Sequence, residues 1–257
     1  MAVLHVNDLA IPCKGILFDK DGTLLDLLAT WGTWADLMLK GLENQLALIG
    51  KDNSGSGPGL ARMLGTVHDD AGRVIGYDPA GPLSMATAEE TNGILAWQLY
   101  TAGVPWNEAL ARVTAIGKEA MNELRRLRAA HPLPELLPFL RQCAAASLKL
   151  GVVTSDGAVT TGEQLEWMGI TSYFDTVVTR DRVTHGKPAP EMAETACREL
   201  GLDPGEAVII GDSNADMQLG KGAGLRLSIG ISPAGSTAHL LDADTVISGY
   251  HQLRLTI

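Results

Sequence analysis

The chain has 257 residues, of which 46% are hydrophobic and 19% are charged, so it can bury a sizeable core. Its formal net charge is −10 and it contains no block of lysine and arginine, which argues against nucleic acid or an anionic membrane surface as a partner. A small anionic substrate is compatible with this composition, because a binding site needs only local positive charge.

The cysteine pattern and the N-terminal residues predict a reduced, cytoplasmic protein. Cys13, Cys143 and Cys197 show no spacing typical of a metal site or a disulfide framework. The N-terminal residues lack a basic start followed by an apolar core, so we expect no signal peptide. No apolar run approaches the roughly 18 residues of a spanning helix, so we also expect no transmembrane segment.

Six short apolar runs predict the strands of a parallel sheet. They lack polar–apolar alternation, which is typical of strands buried on both faces. In chain order they lie at 15–19, 148–156, 175–179, 207–212, 225–230 and 245–249. Helical segments at 133–147, 158–169 and 189–201 fall between them, and Gly169 and Gly201 are expected C-terminal caps. The alternation predicts an α/β fold, a Rossmann-like parallel sheet with helices on both faces.

The region at 26–132 breaks this alternation and predicts a mostly helical domain inserted after the first strand. The α/β core domain would then comprise 1–25 and 133–257. One predicted helix of the insert begins with a capping-box pattern, in which Thr87 is followed three residues later by Glu90.

Parts of the insert support more than one interpretation. The composition of 51–59 predicts a loop or linker, and the wider Gly-rich stretch at 50–82 fits a short hairpin, a mobile loop or both. Trp31 and Trp34 are expected in the core of the insert, or else as the lining of a pocket. Arg62 is either a solvated side chain or a contact for an anion.

Residue types suited to catalysis cluster where the predicted strands end. Ligands of open α/β sheets bind beyond the carboxyl ends of the strands, so these residues are expected to share one cleft. They are Asp19, Asp21, Thr154, Ser155, Asp156, Lys187, Asp212 and Asp216. Several carboxylates in a small cleft need counter-charge, which the lysine and a hard cation would supply, and oxygen ligands favour Mg²⁺.

Four segments containing these residues occur in the order of the four motifs of the haloacid dehalogenase (HAD) superfamily. They are FDKDGT at 18–23, VVTSD at 152–156, KPAPE at 187–191 and GDSNAD at 211–216. The chain therefore resembles a phosphatase of that superfamily, of the phosphoglycolate-phosphatase-like kind with a helical cap. The motifs cover the predicted core, whereas 26–132 resembles a cap in position, length and helical character.

The resemblance implies a role for each matching residue. Asp19 would be the nucleophile that forms an aspartyl-phosphate. Asp21 would protonate the leaving alcohol and then act as base for the water that cleaves the intermediate. Thr154 and the backbone N–H of Ser155 would bind the phosphoryl group, and Lys187 would offset its charge and order Asp19.

The same resemblance implies a Mg²⁺ site. Asp212 would bind the ion together with Asp19 and the backbone carbonyl of Asp21, whereas Asp216 would bind through water or hold Lys187. Lys20 is expected to point away from both neighbouring carboxylates if the stretch stays extended, and it receives no chemical role.

Smaller roles are expected for the residues around these motifs. Gly22 would let the backbone turn sharply. Thr23 would brace that turn by hydrogen bonding. Asp156 is expected as a turn or cap residue, and His185 is expected as a loop residue.

Several functions remain compatible with the motifs. The acid at Asp21 favours phosphomonoester chemistry over dehalogenation, and a small substrate such as phosphoglycolate, a sugar phosphate or a nucleotide is expected. A phosphomutase would keep the same acid. A receiver-like signalling domain would also use carboxylates and a lysine around an acyl-phosphate, and a non-catalytic binding protein could retain the fold.

Overall fold

The computed structural model describes residues 2–51, 59–233 and 235–256, and the chain divides into two compact units. The core unit comprises Met1–Asp26 and Ala130–Ile257, and the helical unit comprises Leu27–Ala129. The chain leaves the core unit after Asp26 and returns to it at Ala130. The two ends of the core unit at this break are adjacent, and the Asp26 N–H donates a hydrogen bond to the His131 carbonyl at 2.8 Å.

The strands are short, as expected for a domain of this size. In chain order they are β1 (Val3–Val6), β2 (Leu9–Pro12), β3 (Gly15–Phe18), β4 (Thr66–His68), β5 (Val74–Tyr77), β6 (Lys149–Thr154), β7 (Thr176–Thr179), β8 (Ala207–Gly211), β9 (Leu227–Ile231), β10 (Thr245–Ile247) and β11 (Leu253–Thr256).

The helices alternate with strands in the core unit and dominate the helical unit. In chain order they are α1 (Thr33–Leu48), α2 (Leu60–Met63), α3 (Pro82–Met85), α4 (Ala88–Thr101), α5 (Trp106–Leu127), α6 (Leu136–Ala145), α7 (Ala158–Trp167), α8 (Glu191–Leu200) and α9 (Asn214–Ala223).

The core unit is built on a six-stranded parallel sheet, which confirms the predicted α/β fold. Its strand order is β10-β9-β8-β3-β6-β7, so β3 lies between β8 and β6. All four residues of β3 are buried, as its continuous apolar sequence predicts. α8 covers one part of this sheet with Met192, Ala196 and Leu200. Gly169 and Gly201 follow their helices with φ of 68° and 67°, the left-handed conformation of a C-terminal cap.

A second sheet in the core unit was not predicted. It is antiparallel, with strand order β11-β1-β2, and a tight turn with Asn7 at a φ of 49° joins β1 to β2. The predicted first strand is therefore the third in the chain, although it is the first of the parallel sheet. The strands of this sheet lack continuous apolar runs, because β1 alternates between buried and half-buried residues and β2 is exposed or half-buried throughout.

The helical unit packs α1, α4 and α5 around its own apolar core. Met38, Leu42, Leu95 and Leu99 are completely buried in it, and Trp34 packs against its edge. The predicted capping box begins α4: the Glu90 N–H donates to Thr87 Oγ1 at 3.2 Å, and the Thr87 N–H donates to Glu90 Oε2 at 2.8 Å.

The Gly-rich stretch of the helical unit contains the antiparallel hairpin β4–β5, one of the alternatives that its sequence left open. Most of the predicted linker at 51–59 lies outside the described residues. Throughout the described ranges, every helix is too short or too polar to span a membrane.

Candidate active site

The carboxyl end of the central strand β3 delivers Asp19 to the edge of the parallel sheet. Phe18 is in register with Ile210 of β8, and the Asp19 N–H donates to the Ile210 carbonyl at 2.9 Å. The backbone of this residue is therefore fixed by the sheet. Its side chain is buried, at 9% relative exposure.

Lys187 joins two of the carboxylates. Its ammonium contacts Asp19 Oδ1 and lies 2.6 Å from Asp216 Oδ1, and all three side chains are buried. A buried charge is stable only when it is paired and hydrogen-bonded, so this lysine and its carboxylates depend on one another. Of the two alternatives for Asp216, the geometry fits a residue that holds Lys187.

Glu191 holds the loop that carries Lys187. Its two carboxylate oxygens accept the backbone N–H groups of Thr184 at 2.8 Å and His185 at 2.7 Å. The His185 ring also contacts Glu191, at 3.0 Å, while remaining largely exposed. Glu191 lies within the KPAPE segment but was given no role from sequence. The spacing of residues in the motif does not reveal which backbone groups its side chain contacts.

Asp212 follows β8 and packs against Gly22. This glycine has a φ of 75°, and a Cβ at its position would lie 2.0 Å from Asp212 Oδ2. Glycine is therefore needed both for the left-handed turn, as predicted, and for the close approach of the carboxylate.

Asp216 is held at the start of α9 by a reciprocal capping box. Ser213 Oγ accepts the Asp216 N–H at 3.4 Å, and Asp216 Oδ2 accepts the Ser213 N–H at 3.1 Å and its hydroxyl at 2.6 Å. The other oxygen, Oδ1, faces Lys187. One side chain thus caps a helix and pairs with the lysine.

Burial and mutual repulsion shift the acidity of this cluster. Burial, together with the charges of Asp216 and Asp21, raises the pKa of Asp19 to about 7, although Lys187 opposes the shift. Burial and the charges of Asp19 and Asp216 raise the pKa of Asp212 above its usual range. Burial lowers the pKa of Lys187, but the two carboxylates outweigh it, so the pKa is raised and the lysine stays charged.

Lys20 was expected to point away from Asp19 and Asp21 if the stretch stayed extended, but it contacts Asp21. The chain does not stay extended after Asp19, because the N–H groups of Leu24 and Leu25 both donate to the Lys20 carbonyl, at 2.8 and 3.0 Å. The Lys20 ammonium lies 2.7 Å from Asp21 Oδ2 and 3.0 Å from Asp156 Oδ2. Side chains alternate between the two faces only in an extended strand, and this alternation ends where the turn begins.

Asp156 was expected as a turn or cap residue at the cleft, and its side chain also pairs with Lys20. Burial and the charge of Asp21 raise the pKa of Asp156, with Lys20 acting in the opposite direction. Its backbone N–H donates to Thr154 Oγ1 at 3.2 Å. Thr154 is buried at the end of β6, whereas the side chain of Ser155 is exposed.

The turn at Gly22 and Thr23 is braced from another element. Tyr250, which is buried and stacked on Phe139 with ring centroids 5.5 Å apart, donates its hydroxyl to the Thr23 carbonyl at 3.0 Å. Thr23 contributes to the turn through its backbone N–H, which donates to the Lys20 carbonyl at 3.4 Å, whereas its hydroxyl has no hydrogen-bond partner among the described residues. Tyr250 is remote in sequence, and no local pattern identifies it.

His239 was also missed by the sequence analysis. Its ring Nε2 lies 3.1 Å from the backbone carbonyl of Asp212, so it contacts the segment that follows β8. An isolated histidine in a polar loop gives no signal of this contact.

The acidic cluster fits a hard divalent cation. Asp19, Asp212 and Asp216 each offer a carboxylate oxygen, and these atoms all lie within 4.8 Å of one another. Oxygen-only donors with several negative charges are the ligands that Mg²⁺ accepts. The pKa values of Asp19 and Asp212 are raised first by burial and then by the neighbouring carboxylates, and a bound cation would offset this repulsion.

Comparison with known proteins adds a family match. Residues 82–229 match the sequence model of the haloacid dehalogenase-like hydrolases, and this stretch is more than half of the chain. The structure also resembles that of a Thermotoga maritima protein assigned as a β-phosphoglucomutase. Their TM-score is 0.64 at 21% identity, over 91% of this chain and 94% of that one, which shows a shared fold.

Two curated relatives match over very different lengths. The pyrophosphatase PpaX of Bacillus velezensis is 42% identical over 87 residues, which cover 34% of this chain and only 40% of that protein. The phosphoglycolate phosphatase of Salmonella choleraesuis is 24% identical over 247 residues, covering 93% of this chain and 90% of that protein. The strongest local similarity is therefore confined to a third of the chain.

Proposed function

Because the chain belongs to the haloacid dehalogenase-like hydrolases, we propose that it is a Mg²⁺-dependent phosphatase that hydrolyses a small phosphorylated metabolite through an aspartyl-phosphate. The observation that carries the proposal is the position of Asp19. Asp19 directly follows the central strand and contacts Lys187. One of its carboxylate oxygens lies within 4.8 Å of oxygens of Asp212 and Asp216. The Asp19 carboxylate is thus the candidate nucleophile, the partner of the Lys187 ammonium and one of the candidate metal ligands.

The first half of the reaction uses Asp19 and Asp21. An oxygen of the Asp19 carboxylate attacks phosphorus while the bond from phosphorus to the leaving alcohol breaks, and Asp21 gives that alcohol a proton. Lys187 offsets the charge of the phosphoryl oxygens, since phosphoryl transfer depends mainly on positioning and electrostatic stabilisation. Thr154 and the backbone N–H of Ser155 would hold the phosphoryl group.

The second half releases inorganic phosphate. Asp21, now ionised, takes a proton from water as the water oxygen attacks phosphorus and the bond to Asp19 breaks. Asp19, Asp212 and the backbone carbonyl of Asp21 would hold Mg²⁺, with Asp216 binding through water or serving Lys187 alone. When bound, the ion neutralises phosphate charge and orients the phosphoryl group.

The substrate class and setting follow from the same reasoning. The relative that spans most of the chain is named a phosphoglycolate phosphatase, which supports a small phosphate ester, a sugar phosphate or a nucleotide as substrate. Because the net charge is −10, we propose neither nucleic acid nor an anionic membrane as a partner. Cys13, Cys143 and Cys197 are buried and free, which fits a reducing compartment, and we place the protein in the cytoplasm.

The proposal is tested by phosphate release from a panel of metabolite phosphates, measured with Mg²⁺ and with EDTA. We expect turnover of one or a few esters that EDTA abolishes and that Asp19→Asn reduces to background. Absence of release from every ester would contradict a phosphatase. Labelling of Asp19 without release would instead support a phosphomutase or a receiver-like protein.

A further inference from the structure

The ammonium group of Lys20 is completely buried in the core unit and surrounded by oxygen atoms. Its side chain has 0% exposure. Both oxygens of Asp21 are within reach, at 2.8 Å for Oδ1 and 2.7 Å for Oδ2. On its other sides lie Asp156 Oδ2, at 3.0 Å, and Oε1 of Gln164 on α7. We call these four side chains the Lys20 cluster.

Packing alone is a poor explanation for a lysine at this place. Removing an ammonium from water costs several kcal/mol, and a well-packed apolar side chain would often serve stability equally well. Burial lowers the pKa of Lys20, but the charges of Asp21 and Asp156 more than compensate, so the pKa is raised and the group stays charged. The cluster places a buried ammonium group in direct contact with both oxygens of Asp21.

The geometry of the cluster restricts the Asp21 carboxylate. Lys20 engages both of its oxygens, while 24% of the Asp21 side chain remains exposed. Asp156 and Gln164 hold the ammonium from the other side, so it cannot follow the carboxylate freely. The backbone also contributes, because the turn that follows β3 is closed by hydrogen bonds to the Lys20 carbonyl.

We propose that Lys20 is a positioning residue for the reaction, and that it holds the Asp21 carboxylate where it can exchange a proton with the leaving group. This inference rests on the proposed phosphatase function. Lys20 touches no reacting atom in this scheme. The bond from phosphorus to the leaving oxygen breaks, the bond from Asp19 to phosphorus forms, and the proton passes from Asp21 to the leaving oxygen. Lys20 fixes the donor throughout.

Substrates with different leaving groups can distinguish a residue that positions Asp21 from a residue that only stabilises the whole site. An alkyl phosphate needs a proton at its leaving oxygen, whereas p-nitrophenyl phosphate releases a stable anion and needs that proton far less. The value of kcat/KM covers the steps up to cleavage of the ester, before water attacks the intermediate. A misplaced Asp21 should therefore lower kcat/KM for the alkyl ester selectively, while loosening of the whole site would lower it for both esters.

The experiment compares Lys20→Met with wild type on p-nitrophenyl phosphate and on the best alkyl phosphate of the panel. The double variant Lys20→Met/Asp156→Asn removes the buried ammonium together with the charge of its partially exposed partner, so it keeps the test sound if the single variant folds poorly. Lys149→Met is the matched control, because Lys149 also pairs with an aspartate, Asp175, but on the exposed surface. Circular dichroism and thermal unfolding verify that each variant is folded.

General acid catalysis contributes about 10²–10⁴-fold, so we expect each folded Lys20 variant to lose at least about tenfold more kcat/KM on the alkyl ester than on p-nitrophenyl phosphate. The control should lose nothing on either. Equal losses on both esters, or none in the double variant, would overturn the positioning role alone. A wild type inactive on every phosphate ester would instead overturn the proposed function, and this inference with it.

Discussion

Asp19 is a carboxylate that the fold keeps partly protonated near neutral pH. Burial and neighbouring negative charges raise the pKa of Asp19 to about 7, and the pKa of Asp212 is raised by the same causes. A metal ion binds the ionised form, so each proton that remains on the cluster competes with Mg²⁺. Acidity and metal affinity are therefore linked at this site.

The first prediction concerns the pH dependence of Mg²⁺ affinity. At pH 6 Asp19 is mostly protonated in the metal-free protein, and at pH 8 it is mostly ionised. We expect binding to be about tenfold tighter at pH 8, with protons released on binding at pH 6. Calorimetric titration in buffers of different ionisation enthalpy measures both quantities.

The matched variant for that titration is Asp19→Asn, which removes the titrating carboxyl group. It should bind Mg²⁺ more weakly and with less pH dependence than wild type. An affinity that is the same at pH 6 and pH 8 in wild type, without proton release, would contradict the assignment of Asp19 as a ligand.

At the scale of secondary-structure elements, the parallel sheet and the first turn of α8 together place Lys187. The sheet sets the position of Asp19, and Glu191 at the start of α8 fixes the loop through the N–H groups of Thr184 and His185. Hydrogen bonds from N–H groups to an ionised carboxylate are stronger than neutral ones. Lys187 is thus positioned in two ways, by the anchoring of its loop to Glu191 and by its ion pairs with Asp19 and Asp216.

Glu191→Gln should weaken this anchor. The amide cannot accept both N–H groups as the carboxylate does, so we expect a small but measurable loss in the free energy of unfolding. The value of kcat should fall several-fold with little change in KM, because Lys187 would be less well fixed. Denaturant unfolding and steady-state kinetics measure the two effects.

Glu194→Gln is the control for Glu191→Gln, since Glu194 is exposed one turn further along α8. It should leave both stability and kcat unchanged. If the two variants behaved alike, Glu191 would have no special part in placing the loop.

The sequence predicted those elements whose physical signal is local. All six strands of the parallel sheet follow from continuous apolar runs, and the helix ends at Gly169 and Gly201 follow from the freedom of glycine to adopt positive φ. The antiparallel sheet of β1, β2 and β11 was missed, because short strands that are only partly buried lack such runs. Pairing of the two ends of the chain has no local signature.

The same distinction applies within the candidate site. Asp19, Lys187, Asp212 and Asp216 were grouped from sequence because strands of a parallel sheet end at one edge, and the structure brings them together. Lys20 was misplaced because its position depends on a turn, and Tyr250 was missed because its contact with Thr23 spans most of the chain.

At the scale of the whole molecule, the reactive residues are drawn from distant parts of the sequence that one sheet collects. Asp19 comes from near the N-terminus and Asp212 from near the C-terminal end of the chain, with the helical unit between them in sequence. The helical unit has its own apolar core, so it can vary without disturbing the sheet that positions the carboxylates.

The central claim is that Asp19 carries the phosphoryl group. The most direct test is to quench the Asp21→Asn variant during turnover of p-nitrophenyl phosphate, reduce it with borohydride and map its peptides. Asp21→Asn removes the base for the second step, so the intermediate should accumulate, and borohydride converts an aspartyl-phosphate to homoserine. We predict homoserine at position 19, dependent on Mg²⁺ and absent without substrate. Homoserine at another aspartate, or none while phosphate is still released, would contradict the claim.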